Sequence, residues 1–76
     1  MLAYVLKLAF EFQRAHGYWP NMLYLNTDHY TRWQAEFSEQ RAFDEITRRL
    51  SMEVIISTDA LHPHVAWRPG HHLTAG

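Results

Sequence analysis

Cysteine is absent from the 76 residues, which removes disulfides, thiolate chemistry and cysteine-ligated zinc together. The same absence fits a reducing compartment, and the expected location is cytoplasmic. Glycine and proline are scarce, three of each, so the chain holds no GxGxxG turn and no glycine-rich phosphate loop. No charge of either sign accumulates: the net formal charge is −1, each third of the chain stays within one unit of neutrality, and no segment forms a basic arm for nucleic acid. Nor is there a long apolar run. MLAYVLKLAFEF at the N-terminus is broken by Lys7 and Glu11 well short of the roughly 20 apolar residues that a membrane span requires. It also lacks the basic region and small-residue cleavage site of a signal peptide. No membrane partner is expected.

What is present is enough apolar material to fold. Hydrophobic residues make up 47% of the chain and charged residues only 20%, a balance that can offset the entropy of ordering the backbone. The length leaves room for one domain, and a body this small exposes a large share of its surface. With no disulfide to compensate, oligomerisation is the remaining route to added stability.

The opening segment predicts a helix over about residues 2 to 16, closed by Gly17, with Arg14 and His16 in the last turn where cations suit the dipole. Lys7, Glu11 and Arg14 fall at i, i+4, i+7 and make one narrow polar stripe. Leu2, Val5, Leu6, Leu8, Ala9, Phe10 and Phe12 cover more than the arc of a single core contact. The helix is therefore expected to bury two faces, one on its own sheet and one against a copy of itself or another protein. Leu2, Val5, Leu8, Phe10, Phe12 and Trp19 are the interface candidates. In HGYWPN, Gly17 and Pro20 bracket a loop whose Tyr18 and Trp19 are expected to plug the open end of the core.

MLYL, residues 22 to 25, reads as a buried strand between Asn21 and Asn26. A second helix follows, with Asn26 or Thr27 as cap and Asp28 in its first turn. Tyr30, Trp33 and Phe37 share one face of it. The step to Phe43 is out of phase with a 3.6-residue period, which predicts a kink or break near residues 38 to 41. Arg41 with Glu45, and Asp44 with Arg48, are expected as solvated pairs on this helix.

MEVIIS at 52 to 57 and HVAWR at 64 to 68 read as two more strands. Paired as a hairpin with positions summing to 121, Val54 faces Trp67 and Ile56 faces Val65. The fold class that results is α+β: a two-layer domain in the order α-β-α-β-β, with a three-stranded mixed sheet and the helices on one face. It is expected to occupy residues 1 to 68, with 69 to 76 as a flexible tail carrying His71 and His72.

Parallel strands end at the same edge, so the turn at Asn26 to His29 and the turn at Ser57 to Asp59 are expected to be neighbours, with His62 and His64 entering from the last connection. That edge is where open α/β sheets place ligands. Asp28, His29, Asp59, His62 and His64 are the ligand candidates. His62, His64 and Asp59 form a possible divalent-metal set, since two histidines two apart can share a strand face and an aspartate supplies oxygen. No other cofactor is implied. The same corner supports an alternative function, a small metal-dependent or His/Asp hydrolytic enzyme, although Ser57 and Thr58 lack the elbow or oxyanion turn of a nucleophile and no catalytic residue is assigned. Arg41, Arg48 and Arg49 interleave with acids, which argues against nucleic acid as a partner.

The run PNMLYLNTDHYTRW followed by LSMEVIIS resembles a strand, turn, helix, strand stretch found in capsid and other structural proteins of tailed phages. It spans about half the chain, contains no diagnostic residue and identifies no family; what it implies is assembly. The function expected from the residues is a small non-catalytic interaction or assembly module, acting as a homo-oligomer or accessory subunit through self-association or a protein partner.

Overall fold

A computed structural model of the chain describes residues 1 to 70. The elements run α1 (Leu2–His16), β1 (Met22–Leu25), α2 (Thr27–Gln34), α3 (Gln40–Arg49), β2 (Glu53–Ile56) and β3 (His64–Ala66). They form a two-layer α+β domain with a three-stranded mixed sheet. The tail expected from residue 69 onward lies, for its last six residues including His71 and His72, outside the described residues.

Helix α1 ends where the sequence places its stop. Gly17 takes a left-handed conformation at φ 85°, and its N–H donates to the Gln13 carbonyl, a geometry that glycine adopts without the steric cost a Cβ would bring. Lys7, Glu11 and Arg14 are exposed as the polar stripe, while Val5 and Ala9 are fully buried. The helical segment between β1 and β2 breaks at Ala35 to Glu39, overlapping the expected 38 to 41. The break has a packing cause. Phe43 makes edge-to-face contacts with Tyr30, Trp33 and Phe37 at centroid distances of 5.4, 5.1 and 5.6 Å. One continuous helix would have carried it round to another side, so the chain gives up a turn to gather four rings.

The sheet departs from the expected hairpin. Its order is β2-β1-β3, with β1 parallel to β2 and antiparallel to β3. Positions 64 to 66 pair with 24 to 22 rather than with β2, so Val65 stands beside Leu23 and not beside Ile56. Two physical reasons favour the observed order. MLYL carries no charge and no proline, and at the centre both sides of its backbone are hydrogen-bonded; β2 and β3, with Glu53 and His64, tolerate the edges better. The connection at 57 to 63 also contains Pro63 and no two-residue turn of the hairpin kind. Seven residues are enough to cross the end of β1 and come down its far side.

Register puts Leu23, Val54 and Val65 on one face and Tyr24, Ile55 and His64 on the other. The first face meets all three helices. Val5, Ala9, Leu23, Leu25, Trp33, Phe43, Leu50 and Met52 form the buried core there. The Nε1 of Trp33 has no hydrogen-bond partner among the described residues. Glu53, Ile55 and Ala66 occupy the opposite face, as the alternation of the strands predicts.

Asn21 and Asn26 bracket the central strand and tie it to both neighbours. The Asn21 backbone donates to the Ala66 carbonyl and accepts from the Glu53 N–H, each at 3.0 Å. Its side chain takes both backbone groups of Arg68 at 3.0 Å, which is why β3 stops at Ala66 while the chain stays aligned two residues further. Trp19 plugs the core end as expected, donating from Nε1 to the Leu50 carbonyl at 2.8 Å. Tyr18 does not share that role and stays 46% exposed.

Candidate functional site

The expected corner is built, and Asn26 builds it. Its Oδ1 accepts the His29 N–H at 2.8 Å, and its own N–H donates to His29 Nδ1 at 3.2 Å. This is a reciprocal capping box in which histidine takes the place usually held by glutamate or glutamine. The Asn26 Nδ2 then reaches 34 residues along the chain to the Ala60 carbonyl at 3.0 Å, and the Ser57 N–H donates to Leu25 O at 2.8 Å. The two turns are therefore neighbours, as the parallel pairing of β1 and β2 requires.

The ligand candidates at this corner are largely engaged by the protein itself. His29 Nδ1, acting as acceptor, is committed to the cap, which fixes the ring proton on Nε2. Asp28 lies 3.3 Å from Arg32 on the solvent side of α2. Asp59 and His62 are exposed. His64 lies flat on Tyr24, with centroids 4.8 Å apart and planes 14° from parallel, and its Nδ1 donates to the His62 carbonyl at 3.1 Å. Among the described residues no group of three or more His, Asp or Glu side chains stands close enough to hold a metal ion.

Among the interface candidates of α1, Val5 faces its own core and Leu2 packs against it. Leu8, Phe12 and Trp19 are half-buried. Phe10 is 54% exposed, and Tyr4, which sequence reasoning passed over, is 44% exposed. Phe10 stands edge-on to Trp19 at 5.3 Å. Separately, Phe12, Tyr18 and Trp67 form a chain of T-shaped contacts at 5.8 and 5.2 Å; the consecutive loop residues Tyr18 and Trp19 bring both sets to the C-terminal end of α1, which is an aromatic end of the domain.

A second feature was hidden by the hairpin reading. With β3 on the far side of β1, β2 is an edge strand, and beside it opens a groove of about 440 Å³ lined by Tyr30, Phe43, Met52, Val54 and Ile56, with Asp44, Thr47 and Arg48 of α3 and Glu53 on its rim. Its volume is in the range of small-molecule pockets. The expected pairs on α3 also rearrange: Glu45 bonds to both Arg48 and Arg49, while Asp44 accepts from Gln40 at 2.8 Å. The Arg49 and Arg48 hydrogen bonds hold the Glu45 carboxyl below its ordinary pKa. Arg48 and Arg49 are thus partly neutralised within the helix.

No helix among the described residues is long and apolar enough to cross a membrane. No family model, curated protein or solved structure matches the chain, so a functional reading has to rest on its own residues.

Proposed function

We propose that this chain is a small non-catalytic association module, working as a homo-oligomer or as an accessory subunit of a larger assembly. The observation that carries the reading is the aromatic end. Phe10, Tyr18 and Trp67 are each about half exposed; Phe10 touches half-buried Trp19, Tyr18 touches half-buried Phe12, and Trp67 rests on Tyr18. Large rings held rigid by neighbours and left open to water lose little entropy on docking and gain much burial, which is why such residues dominate binding energy at protein interfaces. The acid and histidine residues of the corner give catalysis no comparable support, because capping, an ion pair and ring stacking already account for Asp28, His29 and His64.

Light scattering on a sizing column, over a series from micromolar to near-millimolar protein, tests the reading. A mass above 9.0 kDa that falls on dilution is expected. A particle of 9.0 kDa at every concentration would remove self-association from the proposal.

A further inference from the structure

We propose that a second copy of this chain docks on the free edge of β2, antiparallel and about a two-fold axis, so that the two sheets become one of six strands. The inference rests on the association reading and adds a surface through which copies meet, on the side of the sheet opposite the β3 edge that Trp67 follows.

Backbone direction comes first. The Glu53 N–H donates to Asn21 O and the Ser57 N–H to Leu25 O, so the odd-numbered residues of β2 turn their backbone groups toward β1. Alternation along a strand then turns the N–H and C=O of Val54 and Ile56 outward. Among the described residues nothing bonds to them, since β2 ends the sheet. Edge strands are usually blunted by lysine, proline or a bulge. Val54, Ile55 and Ile56 supply none of these, and Ile56 is 46% exposed.

Charge and pleat then choose the register. Only a pairing with an even sum sets two outward-facing residues opposite each other and keeps both apolar faces on the same side. A sum of 106 would oppose Glu53 to its own copy and set like charges face to face, and 112 would leave Glu53 beyond the end of the other copy's β2, against the turn at Thr58 and Asp59. A sum of 108 sets Glu53 against Ile55. A sum of 110 sets Glu53 against Ser57 and Val54 against Ile56, with Ile55 meeting Ile55 on the axis. That register makes four backbone hydrogen bonds between the two Val54 and Ile56 pairs. It also drops the Val54 and Ile56 side chains of each copy into the groove of the other.

The rim fits the same occupant. Asp44 and Arg48 both line the groove from α3, and a two-fold axis reverses α3 together with β2. Asp44 of one copy is thereby brought toward Arg48 of the other, and Arg48 toward Asp44. A helix rim with one acid and one base on the groove side is complementary to itself only in this antiparallel sense.

Three variants, first checked for folding by circular dichroism, test the contact on the full chain. Ile56→Pro deletes an outward N–H without touching the β1 ladder, a position where strands tolerate proline. The two-fold contact loses two of its four hydrogen bonds, one from each copy, and the dissociation constant from light scattering is expected to rise at least about tenfold, the equivalent of roughly 1.4 kcal/mol. Ile56→Lys keeps the backbone and is expected to do the same. His62→Ala, on the exposed connection that leads away from β2, is expected to leave the mass unchanged. Ile55→Cys in this cysteine-free chain reports register directly: opposed residues of a non-hydrogen-bonded pair lie about 4.5 Å apart at Cα, within reach of a disulfide. Air oxidation is expected to give a covalent dimer, whereas Thr58→Cys gives none. If the wild-type chain associates but both Ile56 variants keep its mass and Ile55→Cys stays monomeric under oxidant, the edge contact is wrong and the association reading survives. A wild-type monomer at all concentrations removes the edge contact and self-association together, leaving only the accessory-subunit form of the reading.

Discussion

The corner at Asn26 and the groove beside β2 lie on the same small domain and differ in opposite ways from what their residue types suggest. The corner has the side chains of chemistry, two acids and three histidines, yet Asp28, His29 and His64 are already engaged by Arg32, Asn26 and Tyr24, while Asp59 and His62 stay exposed. Asn26 alone makes contacts to α2 and to the connection at Ala60. The groove has mostly aliphatic and aromatic walls, but it carries open backbone groups and exposed apolar surface. Residue type suggests where function could be; unspent bonding capacity and uncovered area indicate where another molecule would gain free energy.

If that contrast is right, perturbing the shared floor should have the largest effect. Phe43 belongs to the core and also lines the groove. Phe43→Ala should destabilise the fold by about 3–5 kcal/mol in urea unfolding, whereas Phe43→Leu should cost less and keep the groove walls apolar. A loss below about 1 kcal/mol for the alanine variant would mean that the four-ring cluster is not what holds α2 and α3 together.

Next comes the corner itself. Asn26→Ala removes a helix cap worth about 1 kcal/mol and the bond to Ala60, worth about another 1 kcal/mol. Stability should fall by roughly 2 kcal/mol with no change in association once folding is accounted for. Asn26→Asp separates the two contributions, since it retains the cap acceptor and loses the donor to Ala60. Equal effects of the two substitutions would show that the cap contributes nothing measurable.

The histidines should matter less again. His62→Ala should change stability by less than about 0.5 kcal/mol, as exposed substitutions generally do, and His64→Ala by up to about 1 kcal/mol through the lost Tyr24 stacking. Added zinc ions should leave the melting temperature of the wild type where it is. A rise with zinc concentration that disappears in His62→Ala would overturn the contrast, because a ligand bound only by the folded state must stabilise it.

The sequence made some of this plain and concealed the rest for identifiable reasons. α1 and its stop at Gly17 were legible because glycine after an apolar helix is a local signal. The break near residue 38 was legible because Phe37 and Phe43 cannot share one helical face. Strand pairing was not, since the 121 register satisfied every side-chain pair it created; only the preference of an uncharged MLYL for the sheet centre argued against it. That one error also hid the groove, by placing β3 over the very edge that β2 leaves open. The corner was placed correctly, but whether His29 caps a helix or waits for a ligand depends on a rotamer, and no spacing rule carries that information.

The smallest expected effect lies on α3 at Glu45, outside the groove lining, and separates stability of α3 from association. Arg49 and Arg48 hold Glu45 below its ordinary pKa in the folded chain. Between the ordinary glutamate range and that lowered value, the unfolded chain takes up a proton at Glu45 while the folded chain does not, so acidification favours unfolding. The stabilisation is complete above the ordinary range and is lost as pH falls through the lowered value. Because the side chain is solvent-exposed, salt should screen the effect. Glu45→Gln should flatten this part of the acid limb of a stability curve at low ionic strength and leave the mass of the associated species unchanged. A parallel loss of association would place Glu45, rather than Asp44, on the contact between copies.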